Sequence, residues 1–260
     1  MTRANSADTT AGTSETATIL VGAASLIGGR TVQQDAHHWV VTEDGCVVAA
    51  VADGVGSVPR SEVIAAAAAR AVVAFGARPE YRDDPAHAIE LARITMTLHA
   101  DHADTERADV FYDHEFGDPW GRHPDTTVVM ATAEKNGEIH IGWIGDCRAW
   151  VHLHDGRLVQ LTEDHNPPWD QRTLTRSLVR GNPENAHWHR SSIRADRPRH
   201  LVLTSDGVHD VLCPTDIGEV LTHAQTPQLA ATWMTDWAVR DAGPSADNAT
   251  ALVAELPNLY

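Results

Sequence analysis

The stretch AVADGVGS, Ala50 to Ser57, ends an apolar, strand-like run in Asp53 and two nearby glycines, and LVLTSDGVHD, Leu201 to Asp210, ends a second such run at Asp206-Gly207. A third acid, Asp247 in SADNATALVAEL, stands just before the last apolar run and is followed by Asn248. Taken singly, an Asp-Gly or Asp-Asn is explained by turn chemistry, because these residues bond their own backbone and tolerate left-handed conformations. Three carboxylates at strand ends point to a different chemistry. Hard divalent cations such as Mg²⁺ and Mn²⁺ take carboxylate, carbonyl and water oxygens. A glycine beside the acid lets a backbone carbonyl come close to such an ion.

The order and flanking residues of these sites resemble the metal-dependent protein phosphatases of type 2C, and the likeness covers nearly the whole chain after the first 17 residues. GGRTVQQDA, with Arg30, Gln34 and Asp35, is similar to the family's first motif, and Asp53-Gly54-Val55-Gly56-Ser57 to its DGVGG. DTTVV from Asp125 to Val129 resembles GTT before a strand, and Gly145-Asp146-Cys147-Arg148 resembles GDSR, with a QLTxDH run following as Gln160 to His165. Ser205 to Asp210 matches SDGLxD, and Asp247 to Thr250 matches DNxT. Each motif alone is weak; six in family order are specific.

The resemblance implies an α+β fold, a four-layer α/β/β/α sandwich of two antiparallel sheets flanked by helices, with two Mn²⁺ or Mg²⁺ ions at one end. Asp53 would bridge the ions, the carbonyl of Gly54 would bind the second, and Asp206 and Asp247 would bind the first. Asp35 would orient the attacking water and Arg30 would hold the substrate phosphate. The residues suit these roles independently: paired cations activate water for in-line displacement at phosphorus, and a guanidinium offers a planar fork to phosphate oxygens. The implied function is hydrolysis of phosphoserine and phosphothreonine in a phosphorylated protein, a Ser/Thr kinase or its targets. The competing reading is a regulatory or phosphoprotein-binding module with little turnover on the same fold.

Departures from the family pattern bear on that choice. Val55 stands where eukaryotic members often carry histidine, and Gln34 where many carry glutamate. Asp125 replaces the glycine of GTT, and Arg122 falls where members with a third metal have aspartate, leaving Asp118 or Asp125 as contributors to any such site. Asp146 and Arg148 read as support for a strand start, and the pairs His152/His154 and His99/His102 read as surface or strand residues and not as metal ligands. The segment Pro167 to Ser192 occupies the place of the family's variable flap, and Arg172, Arg176, Arg180 and Arg190 gather positive charge there. Arg176 is expected among the residues that contact the phosphorylated substrate.

The elements that must position these residues can be read from periodicity. CVVAAVADG is a continuous apolar run of the kind a doubly covered strand shows, and ATILVGAASL and HHWVVTED are shorter strands. Ser61 is placed to cap an alanine-rich helix from Glu62 to about Ala77. Asp84 and Pro85 open a second helix running to about Asp104. Residues 109 to 125 read as loop, and Asn136-Gly137 and Asp155-Gly156 as hairpin turns in a run of antiparallel strands. From Glu163 to Ile193 the pattern is irregular. RHLVLTSDG is a strand, Thr215 is placed to cap a short helix to His223, Pro227 to Asp241 forms a helix bearing Trp233 and Trp237 as core packing, and NATALVAEL closes as a strand.

Length and composition frame this reading. A chain of 260 residues has ample material for one large core. The formal net charge of -16, with Lys135 the single lysine, argues against nucleic-acid binding. Residues 1–17 read as a disordered tail and 18–260 as the catalytic domain, with no membrane span and a cytoplasmic setting. The three cysteines, Cys46, Cys147 and Cys213, lack paired spacing and read as buried small residues.

Overall fold

The structure is a computed structural model that describes residues 19–56, 59–96, 124–170, 173–179, 191–193 and 198–257. The N-terminal tail, most of the 109 to 125 segment, and Arg172, Arg180 and Arg190 fall outside the described residues.

In chain order the elements are β1 (Leu20–Leu26), β2 (Asp35–Val41), β3 (Val47–Asp53), α1 (Ser61–Gly76), α2 (85–96), β4 (Val128–Ala133), β5 (Ile139–Ile144), β6 (Arg148–Leu153), β7 (Leu158–Gln160), β8 (Ser191–Ile193), β9 (Pro198–Thr204), α3 (Asp206–His209), α4 (Pro214–His223), α5 (Pro227–Ala242) and β10 (Ala249–Glu255). They form two five-stranded sheets, ordered β1-β10-β9-β6-β7 and β2-β3-β4-β5-β8. All the pairings are antiparallel.

Alternation along the strands sorts the apolar residues into three cores. Val47, Ala49 and Val51 of β3 face Leu201, Leu203, Leu252 and Ala254 between the sheets. Val48, Ala50 and Ala52 point the other way, under α1 and α2. On the far side Val202, Ala251 and Val253 pack beneath α4 and α5. Because β3 is covered on both faces, its sequence is apolar from Val47 to Ala52, and β4 is apolar but for the buried Thr132.

Local signals behave as their chemistry directs, with exceptions. The Asn136-Gly137 and Asp155-Gly156 turns join β4 to β5 and β6 to β7, and both glycines have positive φ. The Asp84 carboxylate accepts from the His87 amide at the start of α2. Ser61, however, does not cap α1: Arg60 holds the N-cap position at φ 74, and the Ser61 hydroxyl donates to the Val55 carbonyl. Cys213 and not Thr215 takes the N-cap position of α4, where its amide donates to the Asp216 carboxylate, and Cys213 is exposed. The irregular segment ends in β8, a three-residue strand on the edge of the second sheet. On α5 the core-facing residues are Ala230, Ala231, Met234 and Ala238, while Trp233 is 39% exposed.

Candidate active site

One end of each sheet contributes to the same place. In the second sheet β2 starts at Asp35 and β3 stops at Asp53, and the two are register partners across the β2–β3 ladder. In the first, β9 stops at Thr204 immediately before Ser205 and Asp206, while β10 starts two residues after Asp247. The Ser205 hydroxyl donates to Asp35 Oδ2 at 2.7 Å and so joins the sheets at this end. Asn248 makes a second tie: its side-chain oxygen accepts from the Gln34 amide, and its side-chain nitrogen donates to the Ile27 carbonyl. Sequence reasoning matched Asn248 to a motif without giving it this role.

Two glycines permit the close approach. A Cβ on Gly207 would lie 2.0 Å from the Asn248 carbonyl oxygen, so only glycine brings α3 against the segment that carries Asp247. A Cβ on Gly54 would meet the Ser61 Cβ at 2.9 Å and the Gln34 carbonyl oxygen at 3.0 Å. Gly54 is held by its amide on the Gln34 carbonyl and by an antiparallel bridge to Thr126. The Thr126 hydroxyl and the Thr127 amide both donate to the Asp53 carbonyl at 2.8 Å, which fixes the backbone beneath the Asp53 side chain.

The electrostatics of this cluster are one-sided. Asp35 is buried; desolvation pushes its carboxyl up to about 7, although the Ser205 hydroxyl pulls the other way. Asp53 is raised well above the ordinary carboxylate range, first by burial and then by the charges of Asp206, Asp35 and Asp146. Asp206 is raised in the same way by burial and by Asp146, Asp35, Asp247 and Asp210. Asp146 is pushed up to about 6, mainly by burial. One oxygen of Asp35 and one of Asp146 are buried with no hydrogen-bond partner.

An orphaned buried carboxylate oxygen among like charges is costly unless a proton or a cation answers it. The donor set is all oxygen and suits Mg²⁺ or Mn²⁺. Yet among the described residues no three acidic or imidazole side chains stand as a formed metal cage. Asp247 accounts for part of this: its carboxylate is bonded at 2.5 Å to the guanidinium of Arg30, both being about two-fifths exposed. An ion that takes Asp247 must therefore share it with Arg30 or displace that arginine.

The structure thus brings Arg30, Asp35, Asp53, Gly54, Asp206 and Asp247 to one end of the sandwich, and adds Asp146, which the sequence reading set aside. Its neighbour Arg148 does act in support, forked onto Asp164. Asp125 is spoken for: its carboxylate accepts from the Thr126 and Val179 amides and from the Ser177 hydroxyl, so it is not an open ligand for a further ion. Asp118 and Arg122 lie outside the described residues. Cys147 is buried as expected.

The profile of the protein phosphatase 2C family matches residues 23–242. No curated protein sequence matches the chain. Among solved structures, the serine/threonine phosphatase of S. agalactiae is 19% identical with a TM-score of 0.69, covering 92% of this chain and 100% of that one. The serine/threonine phosphatase Stp1 from Staphylococcus aureus is 17% identical with a TM-score of 0.70, covering 93% and 96%. The Mycobacterium tuberculosis serine/threonine phosphatase PstP/Ppp is 23% identical with a TM-score of 0.67, covering 92% and 99%. With two antiparallel sheets between helices, the acidic motifs converging where the sheets meet, and a family match over most of its length, the chain belongs to the protein phosphatase 2C family.

Proposed function

We propose that this protein hydrolyses phosphoserine and phosphothreonine monoesters in proteins with the help of two divalent cations, Mn²⁺ or Mg²⁺, held by Asp53, the Gly54 carbonyl, Asp206 and Asp247. The observation that carries the reading is the convergence of Asp35, Asp53, Asp146 and Asp206 with too few donors, leaving buried carboxylate oxygens unanswered. When bound, such cations supply Lewis-acid stabilisation of the phosphoryl group and make water a competent nucleophile near neutral pH. The side chains do the rest. Asp35, held through one oxygen by Ser205, keeps its other oxygen free to accept a proton from the attacking water or to orient it. Arg30 offers the fork of its guanidinium to phosphate oxygens, and its half-exposed position leaves it free to turn from Asp247 toward substrate. Val55 cannot donate a proton, so the leaving serine or threonine oxygen takes its proton from water or from another side chain.

An acidic chain accepts an anionic substrate here because the cations and Arg30 reverse the local sign. No described helix is long and apolar enough to cross a membrane. The retained acids favour turnover over a binding-only role. The test is hydrolysis of p-nitrophenyl phosphate and of a phosphothreonine peptide in Mn²⁺. Activity should vanish with EDTA and fall at least about a thousandfold in Asp206→Asn. Wild-type protein inert on both substrates under every divalent ion would overturn the reading.

A further inference from the structure

The tripeptide Asp125-Thr126-Thr127 has two sets of partners. On one side it holds the Asp53–Val55 loop: the Asp53 carbonyl accepts from the Thr126 hydroxyl and the Thr127 amide, and the Asp125 carbonyl accepts from the Val55 amide. On the other side it holds Ser177-Leu178-Val179, which lie within the flap segment. The Leu178 amide donates to the Thr126 carbonyl at 2.8 Å, the Val179 amide to Asp125 Oδ1 at 2.8 Å, and the Ser177 hydroxyl to Asp125 Oδ2. Leu178 is fully buried in the core beneath α1, and the Asp125 side chain is 1% exposed. A glycine at position 125 would keep the backbone bonds and lose the two bonds that the carboxylate makes to Ser177 and Val179.

We propose that Asp125 is a positioning residue for substrate choice: its carboxylate fastens Ser177 and Val179 of the flap segment to the loop that carries Asp53 and Gly54, and so limits the travel of Arg176, the residue expected to contact the phosphorylated substrate. This rests on the phosphatase reading above. Arg176 is the residue immediately before Ser177 and is half-buried, so a bond at Ser177 limits how far its Cα travels. Substrate contacts made through Arg176 are then already ordered before binding, which lowers the entropic cost of docking a peptide. A small aryl phosphate, which does not extend to the flap, draws no benefit from that ordering.

The experiment compares wild type, Asp125→Ala, Asp125→Asn and Ser177→Ala by two readouts. Hydrogen exchange of the Val179 and Leu178 amides should quicken about tenfold in Asp125→Ala and less in Ser177→Ala, which loses one bond. The ratio of phosphopeptide to p-nitrophenyl phosphate kcat/KM should fall about tenfold in Asp125→Ala, through KM and not kcat, with partial recovery in Asp125→Asn, whose amide oxygen still accepts from Val179. Unchanged exchange in Asp125→Ala, or equal losses on both substrates, overturns the proposal. If Asp125→Ala does not fold, the same ratio and exchange rates in Ser177→Ala decide, with a change of about threefold expected and none overturning it. A wild type without turnover would overturn the phosphatase reading and the specificity role together, while exchange, which needs no substrate, separately reports whether the fastening exists.

Discussion

The two ends of strand β9 bury titratable side chains in opposite ways. Near its start, His200 stands in register with His152 of β6, the two Nδ1 atoms 3.1 Å apart and the ring planes within 3° of each other. One Nδ1–H donates and the other Nδ1 accepts, so the accepting imidazole is neutral. Burial lowers both, helped by the charge of Arg199, and takes His200 down to about 3. Just past its other end, Asp206 joins Asp35, Asp53 and Asp146, which are all acceptors when ionised and which push one another's pKa upward. The histidine end pairs one donor with one acceptor and leaves His152 Nε2 buried without a partner. At the carboxylate end several groups of one charge converge, and that convergence, more than burial or a missing partner, distinguishes a candidate ligand site from a core.

The comparison is broken most directly by supplying the missing partner. Saturating Mn²⁺ at about 100 times its dissociation constant should stabilise the protein by about 2.7 kcal/mol, a rise of about 5–10 °C in Tm. Asp206→Asn should lose most of that rise and, without metal, melt higher than wild type because a buried like charge is gone. A Tm indifferent to Mn²⁺ by calorimetry would remove the distinction between the two ends. At the other end, His200→Leu should cost about 2 kcal/mol, since it strands the His152 ring nitrogen in an apolar setting. His152→Leu/His200→Leu should cost less than the single change, and both variants should keep the response to Mn²⁺. Urea denaturation would show this, and additive losses would mean that the pair is not coupled.

The smallest effect is in pH and has opposite signs at the two ends. For His152 and His200 the folded pKa lies below the unfolded value of about 6.5, so their contribution is present above that pH and is lost as pH falls toward about 3. For Asp35 and Asp146 the folded pKa lies above the unfolded value, so in chelated protein their contribution is present below about pH 4 and is lost as pH rises toward 6 to 7. Tm against pH in EDTA should therefore lose its descending limb near neutrality when Mn²⁺ is restored. An identical pH profile with and without the ion would show that these carboxylates do not meet it.

Much of this was legible from residues alone, for identifiable reasons. Asp53 and Asp206 announce themselves because an uninterrupted apolar run that stops at Asp-Gly marks both a covered strand and its end. Asp146 was missed because its setting is tertiary: what singles it out is an oxygen buried without a partner beside Asp206, and nothing in Gly145 to Arg148 encodes that. The Arg30–Asp247 bond joins residues 217 positions apart and has no local signature. Strand β8 is too short for alternation to declare itself. Of the two tryptophans expected in the core, Trp237 packs against it while Trp233 stays exposed, and an alanine and methionine stripe faces fully inward because small residues let α5 lie close on β1 and β10.

The seam at Ser205 and Asp35 has a consequence for ion preference. Each sheet carries only some of the proposed oxygen donors, so the distance between donors is set by the thickness of the layer that separates the sheets. That layer includes four buried alanines, Ala49, Ala131, Ala149 and Ala254, among larger side chains. Mg²⁺ requires oxygens at about 2.0–2.1 Å, whereas Ca²⁺ accepts about 2.3–2.6 Å. If the two-cation proposal holds, the alanines of the interlayer, none of which is a proposed donor, would help to set that spacing. Enlarging one of them would tune the preference among cations from within the apolar core.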